Sequence, residues 1–366
     1  MTAGFCSPLP PARSGVADYA ATLLRALRRL GKVEVAPEKA DVFLYQIGNN
    51  QLHRQIYQQA LAVPGVVVLH DAVLQHFFLG WLDETEYIAE FVYNYGEWHR
   101  GLAAELWRRR ASSGLNHCYY QYPMLKRIVE TSRAVVVHNP GAAEMVRAQA
   151  LGARVVEIPH FFESPVLPPA DELLRFRKRW GIEARAFLFG VFGFLRESKR
   201  LLPVLEAFAE VRRARPRTAL MVAGEFVSSD LERAAEPLLG QPGVVRIPYL
   251  PEREFWTAAA AVDACINLRY PGAGETSGIG IRLMGIGKPV LVTSGPETSR
   301  YEESACCRIE PGPAERDSLW QHMVLLTSFS DAAREIGLRA AGHMAQHHAL
   351  DQVAQRFWNL LCEHRH

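Results

Sequence analysis

Short runs of Val, Ile, Leu, Ala and Phe recur along the chain, separated by longer stretches whose apolar residues return at helical spacing. The runs at 66–69, 134–138, 155–158, 187–192, 219–222, 264–268 and 289–293 are continuously apolar rather than alternating. That pattern predicts strands buried on both faces, hence parallel sheets covered by helices. Regular strand–helix alternation predicts an α/β chain of doubly wound, Rossmann-like sheets. The alternation breaks once, where Glu-Ser-Pro-Val-Leu-Pro-Pro-Ala-Asp at 163–171 reads as a proline-stiffened linker. A polar helix is expected over 172–180, and a fresh strand opens at Phe187. The expected boundaries are therefore a first domain at 1–165, a linker at 166–183, a second domain at 184–346 and a closing segment at 347–366. In that last segment Leu350, Val353, Phe357 and Leu361 share one helical face, which predicts a packed helix rather than a projecting tail. Two such domains are expected to leave a ligand cleft between the carboxyl ends of their sheets.

Composition agrees with two domains of ordinary size: 366 residues, 49% of them apolar, are enough to fill two cores. A formal charge of +2 gives no support for nucleic-acid binding. Cys6, Cys118, Cys265, Cys306, Cys307 and Cys362 show no CxxC pair and no adjacent histidine pattern, so no zinc site is expected from them; they read as reduced thiols. Ser7, Pro8 and Pro10 come too early for a signal peptide, and no apolar run is long enough to span a bilayer. A soluble, cytoplasmic protein is expected, at most peripheral at the inner membrane face. Two basic faces bear on that last point: Arg25, Arg28, Arg29 and Lys32, and Arg108, Arg109 and Arg110. Each reads either as a solvated face or as a contact for an anionic membrane surface.

The most informative stretch is 271–290, Pro-Gly-Ala-Gly-Glu-Thr-Ser-Gly-Ile-Gly-Ile-Arg-Leu-Met-Gly-Ile-Gly-Lys-Pro-Val. A Gly-rich turn leads into a short apolar helix that a glycine releases into a strand. The amides of residues 276–280 at such a helix start attract phosphate, so Thr276, Ser277, Gly278 and Ile279 are candidate donor-binding residues. A carboxylate beside them repels phosphate. Glu275 is better suited to accepting hydrogen bonds from hydroxyls, and phosphate with hydroxyls together suggest a nucleotide-sugar.

Three other clusters sit where strands end. In 7–19, prolines stiffen a loop and Gly15 permits close backbone approach at a helix start; the loop is longer than a simple connection needs. In 193–200, Lys199 is the first choice to neutralise a diphosphate leaving group and Arg196 the second, while Arg200 reads as a solvated helix residue. His70 follows the run 66–69 and is either a ligand contact or a structural histidine; Asp71 either orients it or caps the next helix. The cluster 45–50, with Asn49 and Asn50 and with His53 nearby, either meets acceptor hydroxyls or is an ordinary turn. Two familiar motifs fail. Leu283 occupies the third glycine position of a dinucleotide fingerprint, and Pro289 follows Gly287-Lys288 where a phosphate loop needs Ser or Thr.

From Pro-Leu-Pro-Pro-Ala-Arg-Ser-Gly-Val-Ala-Asp-Tyr at 8–19, through Leu-His-Asp-Ala at 69–72, to Gly-Glu-Thr-Ser at 274–277 and Gly-Lys-Pro-Val at 287–290, most of the chain resembles the family-4 glycosyltransferases of the GT-B fold. The resemblance implies two Rossmann-like domains, the first for the acceptor and the second for a UDP- or GDP-sugar, with the helix after Leu350 returning to brace the first. It implies a retaining, metal-independent transfer of a hexosyl group to a hydroxyl of a glycan or lipid-linked saccharide, as in polysaccharide biosynthesis, with no other cofactor. Gly15 then approaches the donor diphosphate, Lys199 is its cationic partner, Glu275 holds sugar hydroxyls, and His70 touches the sugar. Thr276, Ser277, Gly278 and Ile279 offer donor contacts; Asp18, Asn49 and Asp71 line the acceptor side. Two positions depart from the family pattern. Arg282 stands where the second of two glutamates would serve the ribose, leaving Glu275 one residue late, and Phe194 replaces an arginine for which Arg196 is the substitute. Either donor binding is altered, with Arg282 as a donor contact, or the chain is a non-catalytic GT-B protein that binds nucleotide or glycan or serves as a scaffold.

Overall fold

The computed structural model describes residues 1–114 and 116–365. The chain forms two compact units, Met1–Phe161 with Pro271–Thr276 and His348–His366, and Phe162–Tyr270 with Ser277–His347. Each is built on six parallel strands.

In the first unit the strands are β1 (Thr2–Cys6), β2 (Lys32–Val35), β3 (Val42–Ile47), β4 (Val66–Leu69), β5 (Ala134–Val137) and β6 (Val155–Glu157), in the order β2-β1-β3-β4-β5-β6. All adjacent pairs are parallel. β3, β4 and β5 are buried at every residue, as continuous apolar runs require. The strand order reverses between β1 and β3, which makes the loops after these two strands the crevice of this sheet.

The second unit contains β7 (Phe187–Phe192), β8 (Thr218–Ala223), β9 (Val244–Ile247), β10 (Ala264–Asn267), β11 (Val290–Thr293) and β12 (Cys307–Ile309). Their order, β12-β11-β10-β7-β8-β9, is the doubly wound arrangement with its reversal between β7 and β10. Glycine makes room in this core: a Cβ on Gly190 of β7 would lie 2.7 Å from the Val262 side chain.

The observed boundaries differ from the expected ones in two places. The expected linker 166–183 lies within the second unit, where the helix expected over 172–180 is Ala170–Arg179, anchored by buried Phe176 and by Arg177. The Arg177 guanidinium donates to the carbonyls of Ala184 (3.2 Å), Ala186 (2.9 Å) and Ala261 (2.6 Å) and to the Asp263 carboxylate (2.8 Å). Three carbonyls and one carboxylate satisfy a cation that burial would otherwise make costly. The second difference is the Gly-rich stretch Pro271–Thr276, which was placed in the second domain by sequence and belongs to the first unit.

The closing helix Leu350–Glu363 also lies in the first unit, where Leu350, Val353, Phe357 and Leu361 join a core with Leu23, Leu27, Val42 and Val66. Gly31 is small because Trp358 covers it; a Cβ there would be 2.2 Å from the indole. Among the described residues, no helix is long and apolar enough to cross a membrane.

Candidate active site

In the second unit the carboxyl end of β7 turns through Gly193, whose φ of +83° only glycine adopts without strain. Lys199 then folds back, and its ammonium donates to the Phe192 carbonyl. A Cβ on Gly193 would lie 3.0 Å from Lys199 Nζ and 3.7 Å from the Ile279 side chain. Two segments distant in sequence thus converge at one point: the loop from the end of β7 to the Lys199 ammonium, and the start of the helix Gly278–Gly285. That helix starts at Ser277, whose hydroxyl accepts from the Gly280 amide (3.2 Å) and donates to Asn267 Oδ1 (3.0 Å) at the end of β10. Arg269 donates to the same hydroxyl (3.2 Å). The cap therefore consumes the Gly280 amide, leaving those of Gly278 and Ile279 in the first turn without an intrahelical partner.

The other cations of the 193–200 loop have different fates. Arg196 is exposed and makes no ion pair among the described residues. Arg200, expected to be solvated, instead forms a two-pronged pair with Glu315, at 2.8 and 2.6 Å to Oε2, and the Glu315 side chain is only 3% exposed. That pair fixes the start of the helix Leu201–Ala214, so Arg200 is structural. Arg282 contacts the Glu252 carboxylate and lies over the rings of Phe255 (4.8 Å) and Trp256 (4.6 Å). It is held against the helix Glu252–Ala261.

In the first unit the stretch carrying Glu275 is clamped to the ends of β4 and β5. The Ala72 amide donates to the Ala273 carbonyl (2.7 Å). Asn139 caps the helix Pro140–Gln149 through its oxygen and donates through Nδ2 to the Gly274 carbonyl and the Thr276 hydroxyl, both at 2.9 Å. Gly274 has φ +73°, and a Cβ would lie 2.6 Å from Ala72 Cβ and 3.2 Å from Met145 Sδ. Half-buried Glu275 accepts from the Ala273 amide (2.7 Å) with Oε2. The position one before it has no room for any side chain, which is why the carboxylate of this loop sits at 275.

His70 follows β4. Its Nε2–H donates to Gln46 Oε1 (2.7 Å), which leaves Nδ1 as the acceptor, and its ring stands edge-on to Tyr19 (4.8 Å) beside His138 (5.3 Å). Burial first, then the His138 ring, hold its pKa well below the usual 6.5, so it is a neutral imidazole at pH 7. Around it the Tyr19 hydroxyl, Gln46 Nε2, His53 Nε2 and His138 Nε2 are buried without a hydrogen-bond partner among the described residues. Asp71 accepts from the Asn49 amide (2.8 Å); the next helix, Gln75–Leu79, starts at Leu74 with no side-chain cap, so Asp71 does not cap it. Asn49 does that work instead: its Oδ1 accepts from the Phe77 amide (2.8 Å) and its Nδ2 approaches His76 Nδ1 (3.3 Å). Expected to line the acceptor side, Asn49 spends its polar atoms inside the unit. Asn50 caps a short turn by accepting from the Leu52 amide (3.0 Å), the ordinary reading of that loop. Gly15 and Asp18 are exposed in the first turn of the helix Gly15–Arg28, capped by Ser14, and a Cβ on Gly15 would meet nothing within 4 Å.

Most of the basic faces are engaged locally. Arg29 pairs with Asp351, Lys32 with Glu34 (2.8 Å), and Arg108 and Arg109 with Glu105 (2.7 and 2.5 Å), while Arg110 stacks over Trp107 (4.3 Å).

The buried imidazoles carry a pH signature. Burial lowers His53 and His138 to about 4 from 6.5. The unfolded chain therefore binds more protons than the folded one between pH 6.5 and 4, and stability present above pH 6.5 is lost as pH falls through that window. Unfolding free energy should drop by on the order of 4 kcal/mol between pH 7.5 and pH 5, about 2 kcal/mol from each ring. Urea melts across that range check it; a His53→Gln, His138→Gln variant with an unchanged slope would remove these rings as the cause.

No family model matches the chain, and no curated protein sequence matches it. Solved structures do. Sucrose-phosphate synthase from Thermosynechococcus elongatus superposes with a TM-score of 0.71 at 13% identity, covering 99% of this chain and 98% of its own. The chain has the GT-B glycosyltransferase fold. Anabaena HepE, solved with UDP and glucose, superposes on this GT-B chain with a TM-score of 0.67 at 13% identity, over 99% and 100% of the two chains. WaaG, a glycosyltransferase involved in lipopolysaccharide biosynthesis, gives 0.66 at 15% identity over 98% and 99%. In GT-B terms, the two six-stranded sheets are its two Rossmann-like domains.

Proposed function

We propose that this GT-B protein is a family-4-type retaining glycosyltransferase that moves a hexosyl group from a UDP- or GDP-sugar to a hydroxyl of a glycan or lipid-linked saccharide. The observation that carries this reading is the convergence of the Lys199 ammonium, the Gly193 turn and the head of the helix Gly278–Gly285 at the reversal point of the second sheet. An ammonium beside uncapped helix amides favours a diphosphate, and more so as it departs with added charge. HepE, which is solved with UDP, with UDP and glucose and with UDP-glucose, lends support to the donor class.

In the reaction, the bond from the anomeric carbon to the diphosphate oxygen breaks and a bond to the acceptor oxygen forms on the same face. The acceptor proton passes to the leaving phosphate, so no protein base and no metal ion are required in this step. Lys199 and the Gly278 and Ile279 amides stabilise the charge that grows on the leaving oxygen. In the second unit Arg196 is the proposed second cation for the phosphate; in the first unit the proposed roles are sugar hydroxyls for Glu275 and the neutral His70 ring, the acceptor for Asp18 and Asp71, and close approach of the donor for Gly15.

Native mass spectrometry against UDP- and GDP-sugars, followed by NMR of the product's anomeric centre, tests the reading. The expected result is one bound nucleotide-sugar per chain and product of retained configuration. Inversion overturns the mechanism. Tight binding without turnover for every donor and acceptor, consistent with Arg282 being held by Glu252 and Trp256, favours a non-catalytic nucleotide- or glycan-binding protein.

A further inference from the structure

A donor set that contains no cysteine lies in the second unit. The helix Ser330–His347 ends with His343 and His347, one turn apart and therefore on one face. Glu302 stands directly before the short turn Glu303–Ala305 that leads into β12. One donor atom from each of Glu302, His343 and His347 lies within 4.8 Å of the others. The closest pair, His343 Nδ1 and Glu302 Oε1, is 3.4 Å apart. That is long for a hydrogen bond. It matches the edge of a tetrahedron of N and O ligands about 2.0–2.1 Å from a central zinc ion, which is about 3.4 Å. The His343 side chain is buried against Tyr301, whose ring stands at 87° to it (6.0 Å), so one ligand is held in place. Glu302 and His347 are exposed and can rotate to complete the set.

We propose that Glu302, His343 and His347 form a binding site for a borderline divalent cation of the zinc type, with water in the fourth position, which clips the last turn of the helix Ser330–His347 to the segment entering β12. Two imidazoles and one carboxylate suit zinc better than calcium or magnesium, which take oxygen ligands. The site is distinct from the proposed transfer chemistry. Glu302 precedes the amino end of β12, whereas Lys199 follows the carboxyl end of β7 in the same parallel sheet. Its role is mechanical. The clipped helix abuts the turn that ends the helix Gly278–Gly285, where a Cβ on Gly337 would lie 2.0 Å from the Gly287 carbonyl oxygen.

The test is titration of the full-length, metal-stripped and reduced protein with zinc chloride by calorimetry, with cobalt(II) absorption as the second readout. One equivalent should bind, with cobalt d–d bands and no thiolate charge-transfer band, and zinc should raise the melting temperature. His347→Ala and Glu302→Ala, both at exposed positions, should keep the circular dichroism spectrum and the metal-free melting temperature yet weaken zinc by about tenfold or more. Absence of binding, unchanged affinity in both variants, or a thiolate band showing that Cys362 or another cysteine holds the ion would each overturn the proposal. None of these readouts depends on sugar transfer.

Discussion

Lys199→Ala should lower turnover by about 10²–10³, the loss typical of removing one preorganised donor to a developing anion, while leaving donor affinity less affected. The ammonium also donates to the Phe192 carbonyl, and a hydrogen bond from a charged donor is worth about 1.5–3 kcal/mol, so a stability loss of that size is expected alongside. This split separates a leaving-group role from a structural one. Steady-state kinetics with saturating donor, run beside a thermal melt, measures both. A variant that turns over at near-native rate takes Lys199 out of the chemistry; one that melts far below the native protein makes it a fold residue.

Gly274→Val should be the most disruptive single change in the stretch that carries Glu275. The residue has φ +73°, and a Cβ meets Ala72 Cβ at 2.6 Å. Left-handed backbone costs a branched residue on the order of 1–3 kcal/mol, and overpacking adds about 1–3 kcal/mol more. Part of that cost can be relieved by lifting the stretch off Ala72 and Asn139, which would displace Glu275 and depress turnover as well. Urea melts and donor kinetics on one preparation should show both losses together. A variant within 0.5 kcal/mol of native stability would mean the loop is not seated as described.

Much of the architecture was legible because buried parallel strands have an unmistakable pattern. The runs at 66–69 and 187–192 became β4 and β7 with the same limits. The helix expected over 172–180 is present, but its seat in the second unit was not legible: Pro165, Pro168 and Pro169 signal a break, while the anchoring of Arg177 depends on carbonyls of residues 184, 186 and 261 that no local pattern announces. Gly274 and Glu275 were conspicuous, but the attachment of their stretch rests on the Ala72 amide after β4 and on Asn139 after β5, whose local signature is only that of a helix cap before Pro140. Lys199 stood out by its place after a strand. Arg200, beside it with the same charge, was misread because its partner Glu315 lies 115 residues away. Asn49 was read as a ligand contact for the same reason: the helix amide it caps, that of Phe77, lies 28 residues on. Gln46 was legible as part of the strand-end cluster 45–50, but not as the partner of His70, which lies 24 residues on.

The hydrophobic interior shared by Leu23, Leu27, Val42 and Phe357 has a bearing on biosynthesis. Phe357 is over three hundred positions from the other three, so the segment carrying them lacks part of its own interior until the helix Leu350–Glu363 emerges from the ribosome. The second unit, drawn entirely from residues 162–270 and 277–347, has all of its sequence available sooner. Vectorial synthesis thus completes the unit that holds Met1–Phe161 only after the residues of the other unit have emerged, and a chain cut before Leu350 would leave an apolar face on that unit uncovered.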